Sequence, residues 1–151
     1  MFERLSDTAR EAITSSADEA ARRGDRRIGT DHLLLGVMHD PAMAGVLGRD
    51  LRQARAELAD LDLRALKAVG IDVGSFQPPG STSKPRRSSF SSGARAVIPR
   101  ALALATGERS RRITTGHLLL ALIELAEPDP AAALLAGLGV DTAEVRRCLA
   151  A

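Results

Sequence analysis

The residues best suited to chemistry lie in two short segments of similar sequence. In the first, Asp31 and His32 precede an apolar run, and in the second, His117 precedes the same run of leucines. Two histidines could bind a metal ion, but no cluster of cysteines or carboxylates accompanies them at the spacing of a zinc site. The sequence therefore predicts no metal site, and both histidines are interpreted as structural residues beneath a capped helical turn.

The sequence lacks the motifs that would indicate an enzyme. It has no Gly-x-Ser-x-Gly elbow to frame a nucleophilic serine and no Gly-x-x-x-x-Gly-Lys-Ser/Thr loop to cradle ATP phosphates. Cys148, the lone cysteine, follows two arginines and is predicted to be an inward-facing structural thiol. We expect no catalytic residue and no cofactor, which disfavours a small hydrolase.

The two segments belong to an internal duplication. Ile28–Met38 aligns with Ile113–Ile123 at an offset of 85 residues, and the alignment extends without a gap back to Leu5 and Phe90. Over these 34 positions, 13 residues are identical, whereas chance would give about a tenth in a chain rich in alanine and leucine. The chain therefore contains two copies of one structural unit.

The composition favours helices and a cytoplasmic protein. Hydrophobic residues make up 44% of the 151 residues but aromatic residues only 2%, so aliphatic side chains must build the core, as is typical of helices. No apolar run reaches the roughly 18 residues of a membrane helix, the N-terminus has no signal-peptide core, and the single cysteine suits a reducing compartment. The net charge of +2 is too balanced to indicate nucleic acid by itself, although a basic all-helical nucleic-acid-binding regulator remains the alternative function.

The hydrophobic periodicity predicts about four helices in each copy. The first helix of the first copy is expected to be capped by Ser6 and to end at Gly24. The first helix of the second copy is expected to be capped by Ser91 or Ser92 and to be kinked or interrupted at Pro99.

Thr30 and Thr115 are predicted to cap the central, buried helices. Gly70-Ile71-Asp72 matches Gly139-Val140-Asp141 at an offset of 69 rather than 85. The first copy is therefore predicted to contain an extra helical insertion at about residues 41–60.

The predicted organisation is one integrated domain made of two repeats. Repeat 1 covers residues 1–76 and repeat 2 covers residues 90–151. The segment between them, 77–89, is rich in proline and serine and is predicted to be a flexible linker.

The duplicated segment resembles the Clp N-terminal repeat. Ile28-Gly29-Thr30-Asp31-His32-Leu33-Leu34-Leu35-Gly36 is similar to that family's Ile-Gly-Thr-Glu-His-Ile-Leu-Leu-Gly motif, and the opening Met1-Phe2-Glu3-Arg4-Leu5-Ser6 resembles the start of ClpC unfoldases. The resemblance implies an all-α fold in which two four-helix repeats pack with pseudo-two-fold symmetry. It also implies a domain that sits on a AAA+ unfoldase and binds adaptors, substrates or degradation tags. Because the sequence has no ATP-binding loop, we expect a free-standing Clp N-domain.

The resemblance also implies where a ligand would bind. ClpC-type N-domains can bind phosphoarginine, with the motif carboxylate of each repeat holding the guanidinium group. Asp31 occupies this position in repeat 1, and Gly116 occupies it in repeat 2. Neighbouring arginine pairs and helix starts could bind the phosphate, and in the family the N-terminal segment helps to form a peptide-binding groove. The predicted ligand-binding residues are Asp31, Thr30, Arg26, Arg27, Phe2, Thr115, Arg111 and Arg112.

Each of these residues also has a structural interpretation. The threonines could cap helices, Asp31 could complement the helix dipole, the arginines could be solvated loop charges, and Phe2 could pack onto the core. The leading hypothesis is nevertheless a non-catalytic binding module of the Clp proteolytic system that recognises substrates, adaptors or phosphoarginine-like tags. It would act as an adaptor or decoy for a ClpC unfoldase. We expect its partners to be a Clp unfoldase, that enzyme's substrates or adaptors, and phosphoarginine-tagged proteins, with no membrane partner.

Overall fold

The computed structural model describes residues 2–71 and 89–151. A 3₁₀ turn over Phe2–Arg4 opens the chain. The elements that follow in this part of the chain are α1 (Asp7–Arg23), β1 (Arg27–Ile28), α2 (Thr30–Val37), α3 (Pro41–Leu47), α4 (Leu51–Ala68), β2 (Ser89–Phe90), α5 (Ser92–Gly107), α6 (Thr115–Ile123), α7 (Pro130–Gly137) and α8 (Thr142–Ala150). The predicted all-α class with four helices in each repeat is confirmed. The predicted linker at 77–89 lies outside the described residues except for Ser89, which belongs to β2.

The first helix of each repeat begins with the same local chemistry. The side chain of Ser6 accepts a hydrogen bond from the backbone N–H of Ala9 (3.1 Å), and that of Ser91 accepts one from Ala94 (3.2 Å). These serines pair one of the N–H groups that a helix start leaves without a partner. The predicted cap Ser6 is confirmed, and of the two predicted candidates for α5 the cap is Ser91.

The helices of the two repeats correspond in order, α1–α4 to α5–α8. Within the repeats, α1 packs on α2, and α5 packs on α6. Between the repeats, α2 packs on α6 and α7, while α3 packs on α6 and α8. The two central helices, α2 and α6, are buried along most of their length, as their uninterrupted apolar runs predicted.

The structure corrects one part of the predicted organisation. Residues 41–60, predicted as an insertion, form α3 and the first half of α4, which correspond to α7 and α8. Gly48 ends α3 with φ of 65° and stands two residues before the cap Asp50, just as Gly139, with φ of 68°, stands before the cap Asp141. The counterpart of Gly139 is therefore Gly48, and among the described residues the last helix has 18 residues in repeat 1 (α4) and 9 in repeat 2 (α8).

Two short parallel backbone pairings connect the repeats. In one, Ile28 of β1 lies opposite Phe90 of β2, and the N–H of Ser91 donates to the carbonyl of Ile28 (2.9 Å). In the other, Leu5 bridges Ile113 in parallel, and the N–H of Ser6 donates to the carbonyl of Ile113 (2.9 Å). Positions 5 and 90, and 28 and 113, are equivalent at the offset of 85. The segment before the first helix of each repeat therefore pairs with the motif of the other repeat.

One aliphatic core runs through both repeats, and a tight contact between two of its helices depends on a glycine. A Cβ atom placed on Gly36 of α2 would lie 2.2 Å from the backbone oxygen of Ala12 and 2.9 Å from the nitrogen of Ser16. Only a residue without a side chain fits between α1 and α2 at this point. In the part of the chain that the structure describes, no helix is both long and apolar enough to cross a bilayer.

Candidate ligand-binding site

The candidate site of repeat 1 is built on the start of α2, where His32 holds the first turn together. Its Nδ1 atom accepts a hydrogen bond from the backbone N–H of Gly29 (2.8 Å), and its Nε2 atom lies 2.8 Å from a carboxylate oxygen of Asp25. Because Nδ1 acts as an acceptor, Nε2 carries the ring proton and donates a hydrogen bond to Asp25. The prediction that this histidine is structural is confirmed by these contacts.

The same hydrogen-bonding arrangement holds the start of α6 in repeat 2. Nδ1 of His117 accepts from the backbone N–H of Thr114 (2.9 Å), and Nε2 lies 2.9 Å from a carboxylate oxygen of Glu108. Thr114 also accepts, through its hydroxyl, the backbone N–H of His117. The two motif helices therefore start with equivalent geometry although their carboxylate partners come from different positions of the sequence.

The motif threonines connect the repeats instead of capping their own helices. The caps are one residue earlier than predicted, at Gly29 and Thr114. The hydroxyl of Thr30 donates to Asp129 (2.8 Å), and that of Thr115 donates to Asp40 (2.7 Å), so each bond crosses to the other repeat. Thr30 is 2% exposed and Thr115 is 4% exposed. Neither hydroxyl has surface left for a ligand in this conformation.

Three helices, α2, α5 and α7, begin next to one another at the site of repeat 1. A Cβ atom on Gly93 of α5 would lie 3.4 Å from Cγ2 of Thr30 and 3.6 Å from Oδ2 of Asp129, the cap of α7. Every helix start carries partial positive charge and N–H groups without intrahelical partners. Asp129 offsets part of this charge by accepting hydrogen bonds from the backbone N–H groups of Ala131 and Ala132. The convergence makes this corner of the molecule favourable for further negative charge.

Asp31 follows Thr30 in the first turn of α2. Its side chain is 14% exposed, and within residues 2–71 and 89–151 its carboxylate accepts no hydrogen bond. Nδ1 of His32 is 3.4 Å away, but it already accepts the N–H of Gly29 and has no proton to donate. A Cβ atom on Gly29 would lie 2.5 Å from Oδ1 of Asp31, so the carboxylate folds back over the glycine. Asp31 is therefore a half-buried carboxylate whose oxygens remain available to a donor from outside.

The equivalent position in repeat 2 offers no charge. Gly116 stands there, and a Cβ atom on it would lie 3.4 Å from Oγ1 of Thr114 and 3.7 Å from Cδ2 of Leu149. Leu149 of α8 thus lies against the place from which a carboxylate would project. The two predicted sites are equivalent in backbone and different in chemistry.

The predicted arginines lie on the surface beside the two helix starts. Arg26 and Arg27 lie shortly before α2, and Arg111 and Arg112 lie at the equivalent positions before α6; all four are exposed. Their side chains make no hydrogen bond or ion pair among the described residues. Phe2 opens the segment that pairs with Ile113, which places its backbone on the side of repeat 2, but its side chain lies outside the description.

Two aspartates with a central role were not predicted. Asp40 and Asp129 cap α3 and α7 and also accept the hydroxyls of the two motif threonines. Both are followed by proline, and an Asp-Pro pair at a helix start is a recognisable signal for a cap followed by the first helical residue. The sequence could have revealed the caps in this way, but not the threonines that reach them from the other repeat.

Elsewhere in repeat 1, a buried carboxylate connects α1 to α4 and to the turn that follows α2. The side chain of Glu19 is 3% exposed; Nε of Arg55 lies 3.1 Å from its oxygens, and Nε2 of His39 lies 2.9 Å away. Burial raises the pKa of Glu19, but the hydrogen bonds from Arg55 and His39 outweigh it, so that the net shift of the pKa is downward. This cluster is a structural ion pair with both partners in place.

The described residues hold no constellation for metal binding. Among residues 2–71 and 89–151, no three His, Cys, Asp or Glu side chains are arranged to hold a metal ion. Cys148, predicted to face inward, is instead exposed on α8. What the arrangement can do chemically is bind a ligand through charge, with a carboxylate beside helix starts and exposed arginines.

Comparison with known proteins agrees with this architecture. Residues 89–151 match the family model of the Clp repeat N-terminal domain. The N-terminal domain of the caseinolytic protease associated chaperone ClpD from Arabidopsis thaliana has a similar fold, with a TM-score of 0.74 over 99% of this chain and 97% of that chain, at 22% sequence identity.

Two relatives illustrate the range of proteins that the sequence matches. The Uncharacterized protein Rv2667 of Mycobacterium tuberculosis is 34% identical over 129 residues, which cover 85% of this chain and 46% of that protein. An ATP-dependent Clp protease ATP-binding subunit ClpA homolog of Cyanidium caldarium is 30% identical over 153 residues, which cover 97% of this chain and 16% of that protein. The chain thus spans less than half the length of these curated relatives.

Proposed function

Since the chain is a Clp N-terminal domain protein, we propose that it works as a non-catalytic protein-binding module of the Clp proteolytic system. Its partners would be a Clp unfoldase or the substrates and adaptors of one. Nothing among the relatives supports the nucleic-acid-binding alternative.

The observation that carries the finer proposal is the state of Asp31. A half-buried carboxylate that accepts no hydrogen bond among the described residues gives up solvation without gaining a partner inside the protein. A guanidinium group from a ligand would supply two parallel N–H donors to it. We propose that Asp31 recognises an arginine-like group on a substrate, adaptor or tag.

The surroundings of Asp31 support a ligand that carries an anion next to the guanidinium group. The starts of α2, α5 and α7 meet next to Thr30, and Arg26 and Arg27 are exposed shortly before α2. Helix starts and arginines both favour phosphate oxygens. Phosphoarginine combines the two charges in one side chain, so a phosphoarginine-like tag fits the proposed site.

Repeat 2 would contribute to partner binding without a second tag site. Arg111 and Arg112 are exposed there, but Gly116 supplies no carboxylate and Leu149 lies against it. We therefore propose one tag site per chain. A module with one such site could deliver a tagged substrate to an unfoldase as an adaptor, or compete for tags as a decoy, with the segment around Phe2 as additional docking surface.

Calorimetric titration of phosphoarginine and of a phosphoarginine peptide into the protein tests this proposal. We expect binding at about one site, with arginine or phosphate alone binding more weakly. Asp31→Asn should weaken binding by roughly ten- to a hundredfold, because a charge-assisted hydrogen bond contributes about 1.5–3 kcal/mol. Asp18→Asn, an exposed acid on α1, serves as the control and should bind like the wild type. Absence of heat, or binding that survives Asp31→Asn, would refute the tag site.

A further inference from the structure

A groove of about 660 Å3 runs between α1 and the turn that joins α2 to α3. Its lining includes Ala12 and Gly36, where α1 and α2 leave no room for a side chain on the glycine. The rim on the α1 side spans residues 7–15, which corresponds to about 12 Å along the helix axis. The groove lies at the C-terminal end of α2, whereas Asp31 lies at the start of that helix, so the groove is separate from the proposed tag site.

The α1 wall of the groove carries two unpaired negative charges. Asp7 and Glu11 both line it, both are exposed, and their side chains make no hydrogen bond or ion pair among the described residues. Asp40 lines the opposite wall, but its oxygens already accept the N–H of Ala42 and the hydroxyl of Thr115. Arg10 also lines the groove and is already engaged in a polar contact of its own. The charge available to a partner is therefore that of the two carboxylates.

Repeat 2 shows what the same surface becomes without this feature. At the offset of 85, Asp7 and Glu11 correspond to Ser92 and Ala96. Arg100 and Glu124, which correspond to Ser15 and His39 on the rim, form an ion pair with contacts of 2.6 and 2.8 Å. This ion pair spans the corresponding position between α5 and α6. The open groove and its acidic wall therefore belong to repeat 1 and do not follow from the shared fold.

We propose that this groove binds an extended cationic segment of a partner protein, with lysine or arginine at two alternate positions. Asp7 and Glu11 are four residues apart, which puts them about 6 Å apart along the helix axis and on one face of it. Alternate side chains of an extended chain lie on one side and are about 6.6 Å apart. Two cationic side chains at positions i and i+2 therefore meet both carboxylates at once.

The test is a titration of the ¹⁵N-labelled protein with a blocked peptide, acetyl-Ala-Arg-Val-Arg-Ala-amide, followed by NMR. We expect amide shifts confined to the first turns of α1 and to residues 36–41, with binding that weakens as salt is raised. Asp7→Asn combined with Glu11→Gln should reduce the affinity at least tenfold. Glu144→Gln, which removes an exposed acid from the first turn of α8, should leave it unchanged, and so should Asp31→Ala, which separates this groove from the tag site.

Several results would overturn the proposal. The proposal is wrong if a peptide with glutamates in place of the arginines binds equally well, or if the amide shifts lie outside the groove. It is also wrong if the arginine peptide does not bind at all. A dimer mass by light scattering that the double variant abolishes would show that a second copy of the chain covers the groove. If circular dichroism shows that Asp7→Asn weakens α1, Glu11→Gln alone carries the test, because residue 11 lies beyond the first turn.

Discussion

The two repeats share their backbone plan and differ in where they place charge. Each begins with a serine-capped helix, and in each a histidine holds the start of the central helix while a threonine hydroxyl reaches across to the other repeat. The buried Glu19 of α1, however, corresponds to Leu104 of α5, and His39 corresponds to Glu124. Repeat 1 buries a carboxylate, Glu19, beneath partners that are themselves partly exposed, whereas repeat 2 keeps its ion pair at the surface.

This difference separates the features that both repeats of this chain keep from those that differ between them. Caps and cross-repeat bonds satisfy backbone and buried polar groups, and losing any of them leaves such groups unpaired. Side chains on the outer faces do not have to satisfy such groups. The carboxylates proposed here to bind ligands, Asp31 and the pair Asp7 and Glu11 beside the groove, all lie in repeat 1.

The largest difference in stability between the repeats is expected at Gly36. Gly36→Ala should destabilise the protein by about 3 kcal/mol, because the new methyl group would meet the backbone of α1 at Ala12 and Ser16, which cannot move as a flexible side chain can. Ala121 occupies the equivalent position of α6 and is buried, so α5 and α6 already accommodate a methyl group there. Denaturant unfolding of the variant measures the loss.

Ala121→Gly is the matched control for this prediction. It removes a methyl group from a helix and should cost only about 1 kcal/mol, the usual difference in helix propensity. If Gly36→Ala costs no more than Ala121→Gly, the two repeats have equally spaced helix pairs and the difference described here does not exist.

The second prediction concerns the buried carboxylate that repeat 2 lacks. Glu19→Gln should cost about 2 kcal/mol at neutral pH, because it leaves Arg55 without its charged partner beneath the surface. Glu124→Gln should cost less, since that side chain is 28% exposed and its ion pair is at the surface. Equal losses for the two variants would contradict the contrast between the repeats.

The pH dependence of this difference has a definite sign. The pKa of Glu19 is lower in the folded protein than its ordinary value of 4.5. The carboxylate therefore contributes its full stabilisation above about pH 4.5, and that contribution disappears as the pH falls through the lowered pKa. The unfolding free energies of the wild type and of Glu19→Gln, measured from pH 7 down to pH 3, should converge at the acidic end.

Local features of the fold could be predicted from the sequence because local residues determine them. Ser6 and Ser91 cap their helices as expected, and Gly24 ends α1 with φ of 74°. A glycine alone does not show which helix end it belongs to, and for that reason Gly70 was matched to Gly139 although Gly48 is the counterpart. Pro99, expected to kink or interrupt α5, lies within a helix that is assigned without a break.

Contacts between the repeats could not be predicted in this way. The bond from Thr30 to Asp129 joins residues 99 positions apart, and that from Thr115 to Asp40 joins residues 75 apart. No spacing rule for helices reaches such distances, so the threonines were interpreted as caps of their own helices. The availability of Asp31 likewise depends on which donors surround it in three dimensions, and its identity as a motif residue does not determine them.

The smallest expected effect concerns the ends of the first helices. Arg109 corresponds to Gly24 at the offset of 85 and adopts φ of 56°, a left-handed conformation that costs a residue with a side chain about 1 kcal/mol. Arg109→Gly should therefore stabilise the protein by about 0.5 kcal/mol, the remainder being lost to the greater freedom of glycine in the unfolded chain. Gly24→Arg should destabilise it by about 1 kcal/mol, and purely through the backbone, since a Cβ atom on Gly24 would meet nothing within 4 Å. Denaturation midpoints of both variants provide the measurement. Shifts of the same sign would mean that the two helix ends are not equivalent, because the comparison between the repeats requires shifts of opposite sign.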